Sequence, residues 1–170
     1  ARGLAEKGID RGLLPDLGQQ RSVYAPDLPG CGESDAPEAA PSVAEYAAAV
    51  GDLIDSLRLR QVDLLGYQTG SLAAVELAIS RPEQVRRVLL AGTPVFDVRD
   101  RESFNARPWP ARARDDGSHL VEEWQRIRRS RGVHATVARL GEDLAAALRA
   151  GDAAAWGTAA AANYAAGERL

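Results

Sequence analysis

The chain has 170 residues, 45% of them hydrophobic and 26% charged, with a formal net charge of −3 and one cysteine. That length supports a single domain with a real core. The charge gives no electrostatic ground for binding nucleic acid or an anionic membrane, and Cys31 alone excludes a disulfide framework.

No stretch is apolar enough to span a bilayer, and Arg2, Glu6, Lys7, Asp10 and Arg11 leave no signal-peptide core near the start, so a cytoplasmic protein is expected. The first residue is alanine and methionine is absent, which suggests a piece of a longer chain. Arginine outnumbers lysine twenty to one, a bias that fits a GC-rich bacterial coding sequence better than a structural demand.

In chain order, Ala1–Gly8 is weakly patterned. Ile9, Leu13, Leu14 and Leu17 follow at helical spacing and predict a short helix within Ile9–Gln20 that has to accommodate Pro15. Ser22–Ala25 reads as a strand, ended by the turn residues of Pro26-Asp27-Leu28-Pro29-Gly30-Cys31-Gly32. Ser42 and Glu45 form a capping box for a helix carrying Tyr46, Val50, Leu53, Ile54 and Leu57 as one apolar stripe.

Val62–Leu65 is a short buried-type strand. The turn Gly66-Tyr67-Gln68-Thr69-Gly70 leads into an apolar helix over Ser71–Ser80, stopped at Arg81-Pro82, and Val85–Leu90 is a further strand. Alternating strands and helices with short connections predict an open, parallel α/β sheet. From Val95 to Gly117, prolines and charges predict an irregular loop; three helical patterns then follow at His119–Arg131, Val133–Ala150 and Ala153–Ala166. The densest basic cluster, Arg128, Arg129 and Arg131, reads as a solvated helix face, with Glu122 and Glu123 one or two turns upstream.

Two segments carry a family likeness. Val23–Asp35, VYAPDLPGCGESD, resembles the strand and loop of α/β-hydrolases that read D-x-P-G-x-G-x-S-D. LLGYQTGSLAAVELAISRPEQVRRVLLAG resembles their nucleophile elbow, the helix after it and the next strand. The resemblance covers roughly Leu13–Gly92. It implies a partial α/β-hydrolase core at residues 9–94, a helical cap or lid at 95–170, and truncation at both ends, before the usual histidine and acid are reached. A sheet lacking strands on both sides predicts poor solubility or self-association for the segment.

Several residues become candidates through that resemblance. Gln68 stands at the nucleophile position, where the G-x-S-x-G pattern has serine, and an amide cannot form the usual acyl-enzyme. The backbone N–H of Thr69 is the expected oxyanion donor, and Gly66 and Gly70 are the elbow's structural glycines. Tyr67 and Cys31 are candidate substrate contacts, Cys31 standing where relatives often carry histidine. Asp97 follows the strand that ends near Leu90, where some relatives place the catalytic acid, and His119 is a candidate lid residue facing the pocket; neither has more than position in its favour. Thr69 and Ser71 are alternative hydroxyls, and Gly32–Ala36 follows a loop and mimics the serine motif only superficially.

No cofactor or metal is expected. His119 and His134 lack carboxylates at ligand spacing, and Gly66-x-x-x-Gly70 lacks the full dinucleotide fingerprint. The sequence therefore points to a hydrolase relative acting on a small organic, ester-like or related substrate. The alternatives are a non-catalytic ligand-binding protein and a cyclase- or lyase-type member of the same fold.

Overall fold

The structure, a computed structural model, describes residues 10–105 and 113–170. The expectation for Ala1–Gly8 and part of that for Val95–Gly117 lie outside the described residues. Helix α1 spans Asp10–Gly18 with Pro15 inside it. In so short a helix the missing amide forgoes a single bond, back toward Arg11.

Among the described residues Ser22–Ala25, expected as a strand, is not part of one. The described sheet has two strands and this segment pairs with neither. Ser22, Tyr24 and Pro26 share with Val62, Asp63 and Leu64 the lining of a groove of about 450 Å³.

Helix α2, Val43–Ser56, begins as the capping box requires. Ser42 N–H donates to Glu45 Oε2 at 2.7 Å and Glu45 N–H donates to Ser42 Oγ at 3.3 Å. Its buried face is Val43, Tyr46, Ala47, Val50, Gly51 and Ile54. Leu57 is the C-cap and 37% exposed, so the apolar stripe ends one turn earlier than the sequence pattern indicates.

Strand β1, Val62–Tyr67, pairs in parallel with β2, Val85–Ala91, and helix α3, Thr69–Ser80, is the crossover between them. The register matches Asp63 with Arg87 and Tyr67 with Ala91. Asp63 is tolerated in β1 because Arg86 donates to both carboxylate oxygens, at 2.9 and 2.6 Å, and these bonds hold its carboxyl below the usual range.

Arg81 ties the end of α3 to α2 through the Gly51 carbonyl at 3.2 Å and Asp55 at 2.6 Å. The core forms where α2, α3 and β1 meet, around Tyr46, Ile54, Leu64, Leu72 and Leu77. Strand β2 lies at its margin, with Leu89 64% exposed.

The predicted loop after β2 contains a helix, α4, at Val98–Asn105. Its start is fixed by a reciprocal cap: Asp100 N–H donates to Asp97 Oδ1 at 2.8 Å and Asp97 N–H donates to Asp100 Oδ2 at 3.2 Å. Helix α5 runs Ser118–Arg131 and α6 Val137–Ala150. The latter starts four residues later than its apolar pattern because Thr136 is the N-cap, accepting from Arg139 N–H at 3.2 Å.

The last pattern breaks into a 3-10 turn, Gly151–Ala155, then α7, Trp156–Ala162, and α8, Ala166–Arg169. Ala160, Ala161 and Ala166 join the core. Tyr164 Oη donates to Glu76 Oε2 at 2.7 Å, pinning this end to α3; burial, then the Glu76 bond, pushes the phenol up to about 12.

Candidate functional site at the β1–α3 turn

Between β1 and α3 the backbone passes through Gln68 at φ 47° and ψ −122°, a positive-φ conformation that L-residues rarely adopt. Three hydrogen bonds hold it there. Gln68 N–H donates to the Ala91 carbonyl at 3.0 Å, Ser71 N–H donates to the Gln68 carbonyl at 2.9 Å, and Ser71 Oγ–H donates to that same carbonyl. Strand and helix approach closely at this point: a Cβ on Gly66 would stand 2.5 Å from Ser71 Cα and 2.6 Å from the Gly70 carbonyl oxygen. The sharp turn thus requires glycine at 66, and it lifts the Gln68 side chain into solvent.

The side-chain partner of Gln68 among the described residues is a neutral hydroxyl. Gln68 Nε2 donates to the Tyr67 hydroxyl at 3.4 Å, and Gly92, just past β2, lies against the Tyr67 ring and Gln68 Cγ. Thr69 opens α3, so its N–H has no acceptor within the helix and is available to an anionic oxygen. Thr69 Oγ1–H donates to the Gly157 carbonyl at 3.2 Å, bringing the start of α7 to the turn. One residue earlier, Trp156 packs on the loop after Pro26, where a Cβ on Gly30 would fall 2.9 Å from the indole ring.

That loop is folded on Asp27. Glu33 N–H donates to its carboxylate at 3.0 Å and Ser34 Oγ–H to its carbonyl at 2.8 Å. Cys31 is partly buried there, and its N–H donates to the Leu28 carbonyl at 2.8 Å. Beneath it Tyr46 is fully buried, and burial first, then the charge of a Cys31 thiolate, pushes its phenol up to about 12.

A positive-φ residue on a strand-to-helix turn, backed by a folded D-x-P-G-x-G loop and a parallel β-α-β core, is the arrangement of one large family. Its sequence profile, described as the alpha/beta hydrolase family, matches residues 9–169. The chain belongs to the α/β-hydrolase family.

Within the α/β-hydrolases, 2-hydroxymuconate semialdehyde hydrolase of Pseudomonas sp. (strain CF600) is 40% identical over 83 residues, 48% of this chain and 29% of that protein. An uncharacterized protein of Mycobacterium tuberculosis is 39% identical over 89 residues, 51% of this chain and 26% of that protein. The matched stretch thus spans under a third of these curated relatives. Among solved structures, a hydrolase from Pseudomonas aeruginosa PA01 superposes with a TM-score of 0.70 at 19% identity, over 96% of this chain and 62% of that one. An esterase from Thermogutta terrifontis gives 0.69 at 19% identity, over 99% and 65%.

Asp97 and His119 have hydrogen bonds of their own. Asp97 serves the cap of α4, and His119, in the first turn of α5, accepts from Arg114 N–H through Nδ1 at 3.1 Å. Among the described residues neither hydrogen-bonds to Gln68, and no group of three His, Cys, Asp or Glu side chains is placed to hold a metal ion. No described helix is long and apolar enough to cross a membrane.

Trp156, Gly157 and Gly92 are contributors that sequence reasoning missed. Trp156 was legible only as a helix residue, because its contact with Gly30 spans most of the chain.

Proposed function

We propose that this α/β-hydrolase relative is a cytoplasmic protein that binds a small organic, ester-like or related molecule at the Gln68 turn, beneath residues 95–170 acting as a lid. Chemistry there proceeds without a serine acyl-enzyme. The observation that supports this most directly is the strained, exposed placement of Gln68 directly before Thr69, whose N–H lies where an oxyanion donor is useful. The Gln68 amide can donate to a substrate carbonyl or orient a water by accepting from it. It has no proton to exchange near neutral pH, so its part is confined to hydrogen bonding. Relatives with hydrolase names fit this class, including a pimeloyl-[acyl-carrier protein] methyl ester esterase of Aeromonas hydrophila, 34% identical over 94 residues.

A second function is favoured by one observation. Gln68 and Tyr67 present two neutral polar groups side by side, and among the described residues no carboxylate, imidazole or basic side chain is hydrogen-bonded to either, which suits binding without turnover.

The test uses the complete protein as wild type, Gln68→Ala and Gln68→Ser, with short-chain p-nitrophenyl esters and a fluorophosphonate probe. Wild type escapes labelling, the serine variant is labelled, and ester turnover falls in Gln68→Ala. Labelling of the wild type would overturn the loss of serine chemistry. Turnover unchanged in Gln68→Ala would remove Gln68 from the site. An absence of turnover, together with loss of ligand-induced tryptophan quenching in Gln68→Ala, selects the binding protein.

A further inference from the structure

Helices α5 and α6 form a hairpin that buries Ile127 and Leu140 between them and leaves a groove at its turn. The groove, about 800 Å³, is lined by Trp124, Val133, Val137 and Leu140, with Arg128 and Arg129 at its rim. Val133 is 93% exposed and Val137 74%, an unusual outlay of branched apolar surface at one place.

The arginines of α5 divide into two kinds. Arg126 pairs with Glu123 one turn away on α5, and Arg131 pairs with Asp143 of α6. Arg128 and Arg129 have no ion-pair partner among the described residues, and no acidic side chain lines the groove beside them. One arginine therefore ties α5 to α6, one is paired within α5, and two are left to face whatever enters.

We infer that this groove docks an acidic amphipathic helix of a partner protein. A third helix laid across a helical hairpin places an apolar stripe on Trp124, Val133 and Val137, while carboxylates flanking the stripe reach Arg128 and Arg129. Charge complementarity chooses the sign, and Arg suits carboxylate recognition through its planar fork. A flat anionic bilayer fits a concave groove poorly and is repelled by a chain of net charge −3. Within a second copy the acidic helix α2, with Glu45, Asp52 and Asp55, already buries its apolar face in the core. The inference is independent of the chemistry at Gln68.

The experiment titrates the complete protein with a synthetic helical peptide of about 16 residues, long enough to hold helix when seated. The peptide carries leucines at i, i+3, i+4 and i+7 and glutamates beside them; a matched peptide has lysines instead. The expected result is roughly tenfold tighter binding of the glutamate peptide at low salt, lost as salt is raised. Arg128→Glu with Arg129→Glu reverses the preference, and Val137→Asp abolishes binding of both peptides.

Both arginines are exposed, so circular dichroism of the double variant matches wild type, and the reversed preference shows that a folded groove remains. Equal affinity for the two peptides, no binding of either, or an unchanged preference in the double variant would overturn the inference. So would binding to phosphatidylglycerol vesicles that the glutamate peptide fails to displace, or self-association that Val137→Asp dissolves.

Discussion

The hydroxyl of Thr69 donates to the Gly157 carbonyl at 3.2 Å, joining the first residue of α3 to the second residue of α7 across 88 positions of sequence. The turn carrying Gln68 is thereby fixed from two sides, by β2 through the Ala91 carbonyl and by the returning helix. Replacing Thr69 with valine keeps the shape and removes the bond. The expected loss is about 1 kcal/mol in urea unfolding, with a change in Trp156 emission as the latch opens. Unchanged stability and emission would mean that α7 is held by its alanines alone.

Gly66→Ala places a methyl group against backbone atoms of Ser71 and Gly70, which cannot rotate away. Overpacking of this kind destabilises by about 3 kcal/mol, and it shows as a lowered denaturation midpoint at unchanged slope. A loss within 0.5 kcal/mol, about the spread of neutral surface changes, would show that β1 and α3 can separate at the turn.

Gln68 is held at φ 47°, a conformation glycine adopts freely. Gln68→Gly is expected to stabilise the fold by about 1 kcal/mol while losing ligand contacts. Calorimetric melting alongside ligand titration checks both halves, and destabilisation would mean that side-chain packing outweighs backbone strain.

Tyr46 and Tyr164 titrate at about 12 in the folded chain against an ordinary value of 10.0. Between those values the unfolded chain loses protons that the folded chain keeps. Their contribution to stability is therefore complete below pH 10 and is lost as pH rises toward 12. Urea unfolding across that window is expected to show a steep decline that Tyr46→Phe makes shallower. The Tyr46 hydroxyl is buried without a hydrogen-bond partner among the described residues, so Tyr46→Phe costs no stability at neutral pH.

Much of the core was written locally. The box Ser42-x-x-Glu45 named the start of α2 to the residue, since a cap depends on groups three positions apart. The order strand, glycine turn, apolar helix, strand yielded β1, α3 and β2 with nearly the observed bounds, because short connections between parallel strands admit few topologies.

Where competing local signals met, the pattern misled. Prolines and charges after Val95 hid α4, whose Asp97–Asp100 cap is a helix-start signal of the same kind as Ser42–Glu45. The apolar run from Val133 concealed the true start at Val137, set by Thr136.

By itself, then, the sequence determined the turn and the residue on it: a glycine-bracketed Gln68 between a strand and a helix follows from local sterics and propensity. Only the tertiary structure decided what surrounds that residue. Trp156 on Gly30, Gly157 on Thr69 and Tyr164 on Glu76 join distant parts of the chain, and such contacts leave no periodicity to read. The same holds for Ser22–Ala25, whose β-prone residues join neither of the two described strands, a matter of distant placement and not of local propensity.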